Sequence, residues 1–165
     1  MGIITNVGTS HIELLGSREA IAEAKGELIR CLPENSVAIL NEDDPYVKAM
    51  DRLAKGKTIT YGIERNATCI GSHLRYKKDG IKFTCKCYDE VFDIFLPMIG
   101  EHNVYDALAA IVAGRVLGIK SNTIRKGLSE FSGTPMRQEI VPFEDIVILN
   151  DAYNANPSSL SLIHI

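Results

Sequence analysis

Short apolar runs alternate with amphipathic stretches over residues 3–61, and this alternation limits the fold more than any other feature of the sequence. Residues 3–6, 37–40 and 58–61 have the length and apolar content of buried strands. Between them, residues 17–32 and 45–54 have helical spacing, and Ser17 is placed to cap the first helix. The order β-α-β-α-β predicts an α/β fold in which helices cover a parallel sheet.

The pattern changes between residues 68 and 96, where apolar and polar residues alternate with a period of two. Asp79-Gly80 lies between two of these alternating runs and is a strong hairpin signal. We therefore expect a small antiparallel β meander appended to the parallel sheet. The rest of the sequence predicts two helices and two strands, at residues 102–117, 121–131, 138–141 and 146–149.

Charge and hydropathy argue against two classes of partner. The chain carries 18 Lys and Arg against 21 Asp and Glu, and the basic residues are scattered along it. Duplex nucleic acid and anionic membrane surfaces both require a basic face, so neither is expected as a partner. Buried runs of four residues such as 37–40 are far shorter than the roughly 20 residues that span a bilayer. No secretory signal opens the sequence, and we expect a cytoplasmic protein.

Two motifs that suggest chemistry have simpler explanations. The four cysteines lack a second pair at zinc-ribbon spacing, which favours reduced, structural thiols. Gly56-Lys57-Thr58 resembles the end of a phosphate loop, but Asp51 stands where such a loop needs glycine. In addition, the predicted helix precedes this motif and the predicted strand follows it, which is the reverse of the order in a phosphate loop. We interpret Gly56 as a helix C-cap and Lys57 as a solvated side chain.

Lys25 occupies an unexpected position for a charged residue. On a helix that begins after Ser17 it falls inside the predicted apolar stripe, which comprises Ile21, Ala24, Leu28, Ile29 and Leu32. A charged amine there has a desolvation cost unless it is paired, bound to a metal or chemically neutralised. The alternative is that its long stem carries the amine out to water.

His11 lies in the loop that follows the predicted strand at residues 3–6. In open α/β sheets, ligands bind in the crevice at the carboxyl ends of the strands. A histidine in a loop is also commonly just solvated. The combination of His11 with a sheet-facing lysine fourteen residues later is the more specific signal of a ligand site.

Six motifs follow one another in a distinctive order: TNVGTSHIELLGS, IAEAKGEL, VAILNEDDP, GEHNVYDALAA, PMRQE and NDAYNANP. Over residues 3–159 they resemble the ordered motifs of the Mur ligase family, and NDAYNANP resembles the members that use D-alanyl-D-alanine. The resemblance implies an ATP-dependent ligase of peptidoglycan precursor synthesis, which joins D-alanyl-D-alanine to UDP-N-acetylmuramoyl-tripeptide through an acyl phosphate. Its cofactors would be ATP and Mg²⁺, and its fold a central ATPase domain of the P-loop type whose phosphate-loop strand lies upstream.

The resemblance also implies roles for individual residues. His11 and Lys25 would be catalytic and would ligate Mg²⁺, with Lys25 carbamylated by CO₂. A carbamate is an anion whose oxygens suit a hard cation, which would account for the placement of this lysine. His102 and Asn103 would lie near the adenine, Arg137 near the phosphates and Asp151 near the ribose hydroxyls. The nucleotide-binding loop would be completed by Tyr153, Asn154 and Asn156.

Two of these assignments have weaker support in the sequence itself. Asp106 stands where the family usually has asparagine, so an amide contact at that position is not expected here. Without the resemblance, Asn103 would be interpreted as a helix N-cap, Arg137 as a surface arginine and residues 151–157 as a polar turn.

The resemblance further predicts the domain organisation. Residues 1–159 would be part of a central ATP-binding domain, with the meander at 68–96, and residues 160–165 would be a non-native tail, because LSLIHI looks like a translated sequencing adapter. The N-terminal UDP-binding domain and the C-terminal acceptor domain would be absent, so we expect a monomeric fragment that is inactive alone.

Three alternatives remain. The first is another member of the superfamily, such as a folylpolyglutamate synthase or a different Mur ligase. The second is a non-catalytic domain that retains the fold. The third is a small metal-dependent hydrolase built on His11, Glu13 and His73, which is disfavoured because His73 lies in the meander without a partner at ligand spacing.

Overall fold

A six-stranded mixed sheet forms the centre of the chain in a computed structural model that describes residues 1–10 and 12–154. The strands lie side by side in chain order: β1 (Gly2–Ile4), β2 (Val37–Asn41), β3 (Lys57–Gly62), β4 (Cys69–Lys77), β5 (Gly80–Cys87) and β6 (Glu90–Leu96). Strands β1 to β4 pair in parallel, whereas β5 pairs antiparallel with both β4 and β6. The predicted α/β class and the appended meander are both confirmed.

Helices cover the two faces of this sheet. They are α1 (Ile12–Leu15), α2 (Arg18–Cys31), α3 (Pro45–Lys48), which continues as a 3-10 helix (Ala49–Leu53), α4 (Glu101–Val116) and α5 (Ser121–Ser129). Helix α2 begins at the predicted cap, where Ser17 Oγ accepts a hydrogen bond of 3.1 Å from the amide of Ala20. In the described ranges, no helix has the length and apolar character that crossing a lipid bilayer requires.

The alternation of side chains along the strands divides the interior into two cores. On β2, Ala38 and Leu40 join the core under α2 and α3, whereas Ile39 joins the core under α4 and α5. Because successive side chains of a strand point to opposite faces, β2 contributes to both cores. The continuous apolar run at 37–40 is thus explained by burial on both faces.

The predicted strands near the end of the described chain form a hairpin of their own. β7 (Glu139–Phe143) and β8 (Ile146–Asn150) pair antiparallel in a separate two-stranded sheet. Most of its apolar side chains are exposed, including Val147 at 73% and Leu149 at 64%. Asp151 therefore follows a strand, as the sequence predicted.

The interpretation of Gly56 as a helix C-cap is wrong. The 3-10 helix has Ala54 as its C-cap, and two residues separate that cap from the start of β3. Gly56 instead passes close to the turn before β2, where a Cβ atom would lie 2.7 Å from the carbonyl oxygen of Glu34. The glycine is needed for this close backbone approach.

The predicted apolar stripe of α2 is only partly correct. Ile21 and Ile29 are buried, but Ala24 and Leu28 are exposed, the latter at 46%. The sheet-facing side is instead centred between Ile21 and Ile29 and includes the half-buried Lys25. The lysine thus lies on the inner side of the helix as expected, while two of its predicted apolar neighbours do not.

Candidate functional site

The loop at the carboxyl end of β1, residues 5–7, is held by side chains from three other elements. Asp44 Oδ2 accepts a hydrogen bond of 2.8 Å from the amide of Val7. Asn41 Nδ2 donates to the carbonyl oxygen of Thr5 at 3.0 Å, and the Arg18 guanidinium donates to that of Val7 at 2.6 Å. Because loop backbone groups otherwise lack partners, these bonds give the 5–7 loop a defined shape.

Lys25 is a fourth contact to this loop. Its Nζ donates a hydrogen bond of 2.7 Å to the carbonyl oxygen of Asn6. The amine is therefore directed to the carboxyl edge of the sheet and is bound to a backbone oxygen rather than to an acidic side chain. His11, its predicted partner, lies outside the described residues.

The described residues alone do not assemble a metal centre. Within residues 1–10 and 12–154, no group of three or more His, Cys, Asp and Glu side chains is placed to hold a metal ion. As an ammonium, Lys25 is a hydrogen-bond donor and has no lone pair for a cation. A Mg²⁺ site at this position would require a change in the chemistry of Lys25.

Asp43, two residues after the end of β2, accepts four hydrogen bonds. Its Oδ2 accepts from the amides of Ile63 at 2.6 Å and Glu64 at 3.0 Å, and its Oδ1 accepts from the amide of Arg65 at 2.8 Å. The hydroxyl of Tyr105 donates to Oδ2 at 3.0 Å. Burial by itself raises the pKa of the Asp43 carboxyl, but these donors outweigh burial and hold the pKa below its usual value.

The Tyr105 bond positions the start of α4 beside the carboxyl ends of the parallel strands. Tyr105 lies in the second turn of α4, and Asp43 follows β2. Just before the helix, Gly100 adopts a φ of +103°, which disfavours any residue with a side chain. A Cβ atom at Gly100 would lie 2.8 Å from Nδ1 of the His102 ring. Gly100 thus leaves space for the imidazole at the helix N-terminus.

Asn103 is one of two buried polar residues in the described chain, with 8% of its surface exposed. It is the third residue of α4 and is not the N-cap, which is Gly100. Its Nδ2 donates to the carbonyl oxygen of Ile99 at 2.7 Å and to Gln138 Oε1 at 2.8 Å. His102 Nε2 lies 3.2 Å from the same nitrogen.

The residues around β7 and β8 approach α4 through Gln138. The backbone amide of Gln138 donates to Asp151 Oδ1 at 3.3 Å, and its Nε2 lies 3.3 Å from His102 Nε2. The guanidinium of Arg137 stacks on the ring of Tyr153, 4.1 Å from its centroid. Five predicted nucleotide-binding residues therefore form one cluster: His102, Asn103, Arg137, Asp151 and Tyr153.

The other predicted residues lie apart from this cluster or cannot be placed in it. Asn154 is exposed at the end of the described chain. Asn156 lies outside the described residues. Asp106 is one turn after Asn103 on α4, and partial desolvation raises the pKa of its carboxyl, while nearby His102 lowers it by less.

A cavity of about 420 Å³ adjoins the cluster. It lies between the segment that precedes α4 and the β7–β8 hairpin, and Met98, Ile99, Arg137, Gln138 and Leu149 are among the residues that line it. Two cationic side chains, Lys78 and Arg137, and two carboxylates, Asp79 and Glu139, also line it. Apolar walls with a few polar and charged groups are typical of small-molecule sites of this size. The cavity, the open helix N-terminus and Arg137 together suit an anionic ligand that carries a planar apolar group.

Sequence reasoning missed the residues that build the frame of this site. Asp44 could have been found, because an Asp before a Pro-initiated helix is a common N-cap, and its Oδ1 does accept from the amides of Tyr46 and Val47. Nothing in the sequence marks Asp43 as the acceptor for a loop twenty residues away. The contact between Gln138 and Asn103 spans 35 positions and has no sequence signal either.

Comparison with known proteins assigns the chain to a family. The family model described as the Mur ligase middle domain matches residues 1–114, which is more than half of the chain. The chain belongs to the Mur ligase family. UDP-N-acetylmuramoyl-tripeptide--D-alanyl-D-alanine ligase from Bacillus subtilis is 40% identical over 159 residues, which cover 96% of this chain and 34% of that relative.

Solved structures of Mur ligases agree with this assignment. The crystal structure of MurF from Acinetobacter baumannii superposes with a TM-score of 0.90 at 28% identity, over 96% of this chain and 35% of that one. MurF from Thermotoga maritima, solved in complex with ADP, has a TM-score of 0.84 at 24% identity, over 96% and 36% of the two chains, and thus shares the fold. This chain spans about a third of the length of the curated Mur ligases it matches.

Proposed function

We propose that this chain is the larger part of the central domain of an ATP-dependent ligase that joins D-alanyl-D-alanine to UDP-N-acetylmuramoyl-tripeptide. The observation that carries the proposal is the cluster at the start of α4, where five residues of three sequence motifs meet beside one cavity. The 40% identity to a UDP-N-acetylmuramoyl-tripeptide--D-alanyl-D-alanine ligase supports this member of the family over its relatives.

The cluster suits ATP in its polarity and size. Asn103 and His102 would face the adenine, Arg137 would contact the phosphates and Asp151 would accept hydrogen bonds from the ribose hydroxyls. Arginine is well suited to phosphate because its planar fork donates two parallel hydrogen bonds. Tyr153, which stacks on Arg137, would keep the guanidinium in place, and Asn154 and Asn156 would complete the loop.

In the proposed reaction, the terminal carboxylate of the peptide attacks the γ-phosphorus of ATP and ADP leaves, which forms an acyl phosphate. The amine of D-alanyl-D-alanine then attacks the acyl carbon, inorganic phosphate leaves and the amine loses a proton. Several anionic oxygens meet in this sequence of steps, so fixed donors such as Arg137 must compensate their charge. The whole protein would act as a cytoplasmic monomer in cell-wall synthesis, without nucleic acid or membrane partners.

For the metal, we propose that His11 and carbamylated Lys25 ligate Mg²⁺. The position of the Lys25 amine at the carboxyl edge of the sheet, 2.7 Å from the Asn6 carbonyl oxygen, supports the proposal. Carbamylation would replace the cation with an anion that offers two oxygens, the donors that Mg²⁺ prefers. Bound there, Mg²⁺ would neutralise phosphate charge.

The domain organisation is part of the same proposal. Residues 1–159 would belong to the central domain, the UDP-sugar and acceptor domains would lie elsewhere in the complete enzyme, and residues 160–165 would be a non-native tail. The third residue of the tripeptide is left open.

The proposal is tested with the purified complete ligase. ATP, UDP-N-acetylmuramoyl-tripeptide and D-alanyl-D-alanine are supplied together and singly omitted, while phosphate release and product mass are followed. We expect phosphate release only when all three are present. Release with UDP-N-acetylmuramate and L-alanine, but not with the tripeptide and D-alanyl-D-alanine, would assign the chain to another member of the superfamily, and no release with either substrate pair would support a non-catalytic domain.

The role of Lys25 has its own test in the complete ligase. Lys25→Ala should abolish ligation, and a short carboxylate such as acetate should restore part of it by supplying the missing oxygens. Lys57→Ala is the matched control, because Lys57 is exposed and is not placed in the site. Full activity of Lys25→Ala would refute the role.

A further inference from the structure

Gln138 contacts three of the residues proposed to bind the nucleotide, although the family resemblance gives it no role. Its Oε1 accepts from Asn103 Nδ2 at 2.8 Å, its Nε2 lies 3.3 Å from His102 Nε2, and its amide donates to Asp151 Oδ1 at 3.3 Å. Its backbone adopts a φ of +50°, a conformation that is uncommon for residues with a side chain. Such conformations cluster at functional sites, where surrounding contacts maintain them.

The effect of Gln138 on Asn103 follows from the hydrogen-bonding capacity of an amide. The Nδ2 group has two hydrogens, and its two shortest contacts are to the carbonyl oxygen of Ile99 at 2.7 Å and to Gln138 Oε1 at 2.8 Å. Both hydrogens are thus committed within the protein. Oδ1 accepts no hydrogen bond from the described residues, and it is not sealed from solvent. Asn103 therefore offers an acceptor and no donor to a ligand.

We propose that Gln138 is a positioning residue that selects the nucleobase by fixing the orientation of the Asn103 amide. The inference rests on the proposed function, because it requires a purine nucleotide beside Asn103. Adenine carries an amino group at position 6, which donates to a carbonyl oxygen, whereas guanine and hypoxanthine carry an acceptor oxygen there. An amide held with its oxygen outward accepts from adenine and opposes the other two bases.

Without Gln138, only Ile99 holds the Asn103 nitrogen strongly, and the amide can turn about its last torsion angle. A turned amide offers N–H to the base and accommodates an oxygen at position 6. Loss of Gln138 is therefore expected to weaken ATP binding and to remove the selection against position-6 oxygens. The chemical step should be unaffected, since Gln138 contacts no reacting atom in this arrangement.

The test uses calorimetric titration of the complete ligase with ATP and with inosine triphosphate, which replaces the amino group of ATP at position 6 by an oxygen. We expect the unaltered ligase to favour ATP about tenfold, the discrimination of roughly one polar contact. Gln138→Met retains the length of the side chain without the amide, and should reduce the preference to about twofold or less. Gln138→Glu retains an oxygen that accepts from Asn103 Nδ2, and should keep the preference.

Asp145→Asn, in the exposed turn between β7 and β8, is the control for a general effect on the hairpin, and thermal melts confirm that each variant folds. At saturating ATP, kcat of Gln138→Met should equal that of the unaltered ligase, while KM for ATP rises. If Gln138 only supported the fold, its replacements would not change the preference for ATP over inosine triphosphate, so loss in Gln138→Met with retention in Gln138→Glu indicates a positioning role.

The outcomes separate this inference from the proposed function. Selective binding of ATP that is lost in Gln138→Met supports the inference even if no ligation of D-alanyl-D-alanine is detected, in which case the proposed function alone fails. Equal affinity of the unaltered protein for both nucleotides, or no measurable binding of either, overturns the inference. It is also overturned if Gln138→Met retains the full preference for ATP.

Discussion

Replacing Asp43 tests whether one carboxylate joins three segments of the fold. In Asp43→Ala, the amides of residues 63–65 and the hydroxyl of Tyr105 lose their shared acceptor. The amides of Glu64 and Arg65 belong to exposed residues and can bond to water, whereas Ile63 and Tyr105 are half-buried. Each of these last two bonds to a charged group contributes about 1.5 kcal/mol or more, so the free energy of unfolding should fall by about 3 kcal/mol.

For a chain of this size, that loss corresponds to a fall in Tm of roughly 6–12 °C. Urea unfolding followed by circular dichroism measures it, with Asp145→Ala as the exposed control, which should stay within about 0.5 kcal/mol of the unaltered chain. The loss of stability in Asp43→Asn should lie between those of the two alanine variants. Its side-chain oxygen still accepts hydrogen bonds, but its NH₂ group faces other donors. A loss below about 0.5 kcal/mol in Asp43→Ala, with an unchanged denaturant slope, would refute the reasoning.

The same carboxylate predicts a pH dependence. Its pKa is lower in the folded chain than its usual value, so its contribution to the free energy of unfolding is fully present above a pH of about 4, the value for an unfolded Asp. The contribution is lost as the pH falls through the folded pKa. Between pH 6 and pH 3, the unaltered chain should therefore lose more stability than Asp43→Ala does, and equal losses would contradict the assignment.

Two further predictions concern a glycine and the thiols. Gly100→Ala should destabilise the chain by about 1–3 kcal/mol and weaken ATP binding by the ligase, because a Cβ at φ +103° displaces His102. Urea unfolding and calorimetry check this, and Gly127→Ala, with open space around its Cβ position, should show no loss of stability. Among the cysteines, only the exposed Cys31 should react with a thiol reagent in the native chain, since Cys69, Cys85 and Cys87 are buried and should react only in denaturant. Rapid labelling of more than one thiol without denaturant would contradict the burial of these three cysteines.

The elements that the sequence predicts well are those with local signals. The start of α2 follows from a side chain three residues from its partner amide, and the β4–β5 hairpin follows from Asp79-Gly80 between alternating runs. Gly56 has a misleading local signal, because a glycine after a helix is usually a cap, whereas here its role depends on the turn before β2. The separate β7–β8 sheet was also not predictable, since a strand pattern does not specify its partner.

For the candidate site, the sequence predicts which residues matter but not how they are arranged. The motifs marked Lys25, His102, Asn103 and Arg137 as residues of interest, but their mutual placement depends on long-range contacts to Asp43 and Gln138. Such contacts join residues 35 to 62 positions apart and have no periodicity to reveal them. Sequence thus identifies which side chains could carry chemistry, and packing decides which of them meet.

The geometry of Lys25 bears directly on whether carbamylation is compatible with this fold. Its Nζ donates to the carbonyl oxygen of Asn6, and that carbonyl belongs to a loop whose neighbouring groups are bound by Asn41, Asp44 and Arg18. A carbamate retains one N–H on the same nitrogen, so the bond to Asn6 can persist after the modification. The bond between Lys25 and the 5–7 loop is thus compatible with the proposed carbamate. A variant that loosens this loop, such as Asn41→Ala, should reduce ligation by the complete enzyme without altering Lys25 itself, and full activity of Asn41→Ala would contradict a role for the loop.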